Sequence, residues 1–141
     1  QFVEKHGKIL HEMLEKECKN RKVFFVFGGT DTETREEIRA LTEKEDDAII
    51  VASYGTFSTG INIRNLHNIV FASPSKSRIR NLQSIGRGLR KGDNKVTCNL
   101  FDIGDDLSWK EKKNYTLNHL MERIKIYNEE QFNYKLVKID V

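Results

Sequence analysis

Hydrophobic and polar positions alternate along this chain between two recurring patterns. Val3, Leu10, Met13 and Leu14 recur at helical spacing, so residues 1–19 read as an amphipathic helix. The run KVFFVF (22–27) is short, unbroken and apolar, and Gly28-Gly29-Thr30 stops it. Such a run predicts a strand buried on both faces. DTETREEIRALTEKE (31–45) follows, with cap residues, early acids and Ile38 and Leu41 as its inner face, which predicts a helix. AIIVAS (48–53) and HNIVFAS (67–73) predict two further strands. In SKSRIRNLQSIGRGLRKG (75–92), Ile79, Leu82, Ile85 and Leu89 keep helical spacing and Gly92 supplies a stop. KVTCNLFDI (95–103) predicts a fourth strand. Residues 107–131 carry Leu117, Leu120, Met121, Ile124 and Tyr127 on one stripe, a long helix, and NYKLVKIDV (133–141) closes with strand-like alternation.

Strands alternating with helices predict an α/β fold with a parallel sheet and right-handed crossovers. A length of 141 residues suits one domain, here with a C-terminal helix and strand extension at about 107–141. No repeat or low-complexity linker interrupts it. In parallel sheets ligands meet the loops at the carboxyl ends of the strands. GGTDT, SYGTFSTG, SPSKS and DIGDD should therefore gather on one rim.

Charge adds one feature. The net charge is only +3, yet between Lys76 and Lys95 seven cations face the single anion Asp93. That stripe is either the footprint of a polyanion or a solvated helix face. Cys18 and Cys98 stand in no metal-like spacing, and the four histidines form no ligand pair, so the pattern calls for no metal site. It also contains no apolar run of membrane-spanning length and no signal peptide. The chain opens inside a helix pattern, the expectation for a fragment or excised domain.

The chemistry concentrates in QSIGRGLRKG (83–92), where Arg87 and Arg90 stand three apart among glycines. Arginine suits planar, two-pronged recognition of phosphate or carboxylate, and glycine lets a ligand come close. Nothing matches the P-loop pattern: the Gly7-Lys8 pair lies inside a helix pattern and precedes Ile9. Asp102, Asp105 and Asp106 read either as magnesium ligands or as a strand end and solvated loop. Gly28-Gly29-Thr30 reads either as an anion-binding turn or as a plain strand–helix turn. Ser53, Thr56, Ser58 and Thr59 in SYGTFSTGIN suit a sugar–phosphate backbone, which carries no base code, or make up a plain hydroxyl-rich loop. Two functions stay open on the residues alone: part of a nucleotide-driven motor, or a non-catalytic α/β nucleic-acid-binding module.

IIVASYGTFSTGIN followed by QSIGRGLRKG resembles motifs V and VI of the superfamily 2 DNA helicases, in the right order and spacing. The Q-x-x-G-R-x-L-R form is similar to the XPB-like subgroup. The resemblance implies the C-terminal RecA-like motor domain: a parallel sheet flanked by helices in a three-layer α/β/α sandwich. It implies ATP and Mg2+ bound mainly by a first motor domain that lies outside this sequence, so that the chain alone is inactive. Arg87 and Arg90 match the arginines that reach the γ-phosphate, and Gln83 lines the same cleft. Gly60 and Asn62 match motif V positions facing the nucleotide, although many relatives carry aspartate where Asn62 stands. Ser53 matches a hydroxyl touching the strand backbone, and Gly29 and Thr30 match a phosphate-contacting turn. Thr59, Lys76 and Arg78 complete the candidate nucleic-acid contacts. The implied partners are DNA, branched or single-stranded, and the N-terminal RecA-like domain of the same protein, with no membrane. Resemblance to phage-encoded members further implies forks, Holliday junctions, R-loops and D-loops as substrates in recombination, repair and replication, in the host cytoplasm.

Overall fold

The computed structural model describes residues 2–56, 63, 66–73, 98–110 and 114–141. The helix predicted over 75–92 lies outside the described residues. These form two compact units, one holding the described residues up to His67 with Cys98, the other holding Asn68 to Ser73 and Asn99 onward.

The first unit contains α1 (Phe2–Glu17), β1 (Val23–Val26), α2 (Thr32–Lys44) and β2 (Ile49–Ala52). β1 and β2 pair in parallel, Val23 opposite Ile49 and Val26 opposite Ala52. Strand alternation sends Phe25 and Val51 to one face and Phe24, Val26 and Ile50 to the other. The Phe25 ring lies against α1, where a Cβ on Gly7 would come within 2.7 Å of it. His11 Nε2 donates to the Val23 carbonyl at 3.1 Å, and the His11 and Phe25 rings lie 5.8 Å apart. On the opposite face the fully buried Val26 packs with Ile63, Ile38 of α2, Ile50 and Leu66. The two faces are thus covered by different helices, as an α/β fold requires.

The covered stripe of α1 runs through Gly7, Leu10, His11 and Leu14, while Val3 and Met13 are exposed. The aromatic ring of Phe25 demands close approach at Gly7 and so turns the helix away from the face that the larger apolar residues alone predict. α2 begins at the N-cap Asp31, whose carboxylate accepts from the Thr34 backbone N–H at 2.9 Å and the Thr34 hydroxyl at 2.7 Å. This satisfies an orphan donor of the first turn. Its outer face is laced by Arg39, paired to both Glu36 and Glu43.

The second unit contains β3 (Asn68–Phe71), β4 (Asn99–Asp102) and α3 (Tyr115–Glu129). β3 and β4 pair in parallel, Asn68 opposite Asn99 and Phe71 opposite Asp102. α3 buries Arg123, Ile124, Ile126 and Tyr127, with Met121 of the predicted stripe exposed. The helix starts eight residues later than the pattern from 107 suggests, at the N-cap Asn114, which accepts from Leu117 N–H at 3.1 Å. Asp106 and Ser108 bond each other ahead of it, and side chains that bond locally compete with helix. At its end Gln131 takes φ 57°. Phe132 N–H reaches the Tyr127 carbonyl at 2.9 Å and Gln131 N–H the Asn128 carbonyl at 3.1 Å. With the Tyr127 and Phe132 rings 6.3 Å apart, this is a Schellman closure built on glutamine in place of glycine. Residues 132–141 form no strand, contrary to their alternating pattern, because they pair with no strand edge among the described residues.

Candidate functional site

The carboxyl ends of β1 and β2 lie side by side, since Ser53 N–H continues the ladder to the Val26 carbonyl at 3.3 Å. The turn after β1 and the start of the segment after β2 therefore share one rim, where parallel sheets place their ligands. In the turn, Thr30 N–H donates to the Phe27 carbonyl at 3.0 Å, and Phe27 N–H donates back to the Thr30 hydroxyl oxygen at 3.1 Å. A Cβ on Gly29 would meet the Phe27 ring at 2.5 Å, so any larger residue there would have to displace that ring. Gly28, in contrast, faces open space.

Arg35 grips the same turn. Its Nη2 donates to the Phe27 carbonyl at 3.3 Å and to the Gly28 carbonyl at 3.0 Å. A cation near the amino end of a helix opposes the helix dipole. That misplacement is the signal that singles out Arg35, which the motif reading passed over. The Phe27 and Gly28 carbonyls are thereby occupied, and the Thr30 hydroxyl, which accepts from Phe27 N–H, keeps its proton for donation. Ser53 Oγ and Thr56 Oγ1 lie 2.7 Å apart, and the Thr56 side chain is buried, so Thr56 serves the fold of the segment rather than the rim. Among the described residues the rim offers hydroxyls, main chain and the Arg35 guanidinium, a set suited to phosphate.

Of the sequence-derived site residues, Gly29, Thr30 and Ser53 meet on this rim. Thr59, Gly60, Asn62, Lys76, Arg78, Gln83, Arg87 and Arg90 lie outside the described residues.

In the second unit two of the three aspartates, Asp102 and Asp106, are engaged by the chain's own side chains. Asp102 accepts from Arg123 Nε at 2.7 Å and Nη2 at 2.9 Å, and from the Tyr127 hydroxyl. Burial, together with donation to Asp102, pushes the Tyr127 hydroxyl well above its ordinary pKa. Asp106 accepts from Ser108 and Asn114, which hold its carboxyl below the usual range, the Ser108 hydroxyl most of all. A cavity of about 100 Å³ opens at the carboxyl ends of β3 and β4, lined by Ser73, Gly104, Asp105, Thr116 and Arg123 among others. Burial raises the Cys98 thiol, away from the reactive thiolate form. Among the described residues no helix is long and apolar enough to cross a membrane.

No solved structure matches the chain. The chain is 40% identical to the ATP-dependent DNA helicase uvsW of Enterobacteria phage T4 over 146 aligned residues, covering 96% of this chain. It spans 29% of the length of that relative. Residues 1–92 match the helicase conserved C-terminal domain. With its parallel strands and flanking helices, the chain belongs to the helicase C-terminal domain family and has its RecA-like α/β fold.

Proposed function

We propose that this chain is the second motor domain of an ATP-dependent DNA helicase or translocase. The observation that carries this reading is the family match, joined to 40% identity with a protein named an ATP-dependent DNA helicase. The rim of the first unit supports it, because Thr30, Ser53 and the main chain of the Gly28-Gly29 turn give the contact chemistry of a sugar–phosphate backbone. In this reading Thr30 donates its free hydroxyl proton to a backbone phosphate. Arg35 holds the turn's carbonyls back from that phosphate. ATP, with Mg2+, supplies phosphoryl transfer to water when bound, mainly on a first motor domain. Arg87 and Arg90 supply planar forks to the charge that develops on the transferred group, and Gln83, Gly60 and Asn62 line the same cleft. Cleft closure and opening would step the pair of domains along DNA. Forks, Holliday junctions, R-loops and D-loops are the substrates proposed for it, in recombination, repair and replication.

The test is steady-state ATPase of the full-length protein with saturating DNA, beside a melting curve for each variant. Arg90→Ala should fold and bind DNA normally yet lose roughly 10³- to 10⁵-fold in turnover, the worth of an arginine finger. Arg90→Lys should rescue little, since a point charge does not replace the fork. Near-wild-type turnover in Arg90→Ala, with DNA binding intact, would overturn the arginine-finger assignment, and DNA binding without any ATPase in the full-length wild type would favour the non-catalytic nucleic-acid-binding module.

A further inference from the structure

We propose that the loop after β4 is a base-stacking element, in which the exposed ring of Trp109 takes one unpaired nucleobase of a DNA strand and Lys110 meets the adjoining phosphate. The proposal rests on the nucleic-acid reading above and adds to it the contact that distinguishes single strands from duplex.

Trp109 and Leu107 leave 66% and 67% of their surface in solvent. A large aromatic ring so exposed contributes little to any core formed by the described residues. The frame beneath it is nevertheless fixed. Asp106 Oδ1 accepts from Ser108 N–H at 3.1 Å, from the Ser108 hydroxyl, and from Asn114 Nδ2 at 2.8 Å across the loop. Asn114 Nδ2 also reaches the Ser108 hydroxyl at 3.1 Å, and its side-chain oxygen caps α3. Both ends of the loop are thus tied to one carboxylate and to a helix start, which lowers the entropy lost when the ring is used. Lys110 adopts φ 51°, a left-handed conformation uncommon outside glycine. Its ammonium lies 5.7 Å from the Trp109 ring centroid.

The cation beside the ring points to the occupant. Lys110, Lys112 and Lys113 follow Trp109 in the sequence, against Glu111. Asp105 and Asp106 precede the tip, and Asp106 stays anionic because its partners Ser108 and Asn114 are neutral donors; in sequence the cations stand on the far side of the ring from these two acids. An aromatic face beside cations is the recurring platform for unpaired bases, whose π-faces stack regardless of sequence. The loop also leaves the carboxyl end of β4, the side of a parallel sheet that receives ligands.

Trp109 is the single tryptophan of the chain, so its emission reports on this ring alone. The experiment titrates the 141-residue chain with a single-stranded oligothymidylate and with a duplex of equal length, following tryptophan emission and the anisotropy of labelled DNA. Emission should be quenched by the single strand more than by the duplex. Trp109→Ala should weaken single-strand binding about 5- to 100-fold without changing the melting curve, and Trp109→Phe should keep most of the affinity. Wild-type DNA binding without quenching, or unchanged affinity in Trp109→Ala, overturns the stacking role while leaving the DNA reading intact. Failure of the wild type to bind either DNA overturns both. Loss of a protein contact in Trp109→Ala with DNA affinity unchanged places the ring in a protein interface, and the proposal falls.

Discussion

Asp102→Ala should be among the most damaging single substitutions in the second unit. The carboxylate it removes is about 10% exposed and its partner Arg123 about 3%. Arg123 Nη1 is buried without a hydrogen-bond partner even in the intact protein. Removing Asp102 takes the partners of Nε and Nη2 as well, so a whole guanidinium charge is left buried and unpaired. Breaking a buried pair from one side typically costs about 3–5 kcal/mol, and the Tyr127 hydroxyl loses its acceptor too. Against a total stability of roughly 5–15 kcal/mol, that is a large fraction. At roughly 3–6 °C per kcal/mol for a domain of this size, the melting temperature should fall by about 9–30 °C. The assay is urea unfolding followed by circular dichroism, with midpoints compared at constant slope. A double replacement, Asp102→Leu with Arg123→Met, should recover most of the loss, because apolar groups of similar volume often match a buried ion pair. A single mutant within about 1 kcal/mol of wild type would refute the reasoning, as would a double mutant no better than the single.

Gly7→Ala should destabilise the chain by about 1 kcal/mol, because overpacking against Phe25 outweighs the roughly 1 kcal/mol that alanine gains in a helix interior. The Phe25 ring cannot step aside cheaply, since it is stacked on Phe27 at 5.3 Å and flanked by His11. A more stable Gly7→Ala in urea unfolding would show that propensity alone decides. Tyr127→Phe tests the raised pKa of that hydroxyl. The folded state favours the neutral phenol, so its contribution is complete below about pH 10 and declines as pH rises toward the higher folded value. The stability gap between wild type and Tyr127→Phe should therefore narrow above about pH 10, and a gap that widens there would contradict the assignment.

β1 and β2 were legible because a strand covered on both faces is a continuous apolar run, and all four observed strands, including β3 and β4 with Val70 and Phe101 exposed, sit inside their predicted runs. What pattern alone missed depends on contacts between distant residues. The rotation of α1 is set by Gly7, which a hydrophobic stripe counts as a gap, and by Phe25 in another element. Arg123 interrupts an apolar stripe and makes sense only with Asp102, twenty-one residues upstream. The period-two pattern of 133–141 states which side chains alternate but names no edge to pair with. On the rim, Gly29, Thr30 and Ser53 followed from the rule for parallel sheets, whereas Arg35 was hidden because its work is done on main-chain carbonyls.

Parallel pairing also bears on how the chain reaches this fold. Val23 meets Ile49 and Asn68 meets Asn99, partners roughly thirty residues apart, so no local hairpin can nucleate either sheet. While those loops close, sticky runs such as VFFV and IIVA stand open to copies of themselves on other molecules. Each run is entered through a charged pair, Arg21-Lys22 ahead of β1 and Asp46-Asp47 ahead of β2. Like signs keep two β1 runs, or two β2 runs, from aggregating. Opposite signs draw the entrances of β1 and β2 together, where the Lys22 carbonyl accepts from Ile49 N–H at 2.9 Å. The charges that flank the strands thus bias the chain toward its own partner strand before any of the sheet exists.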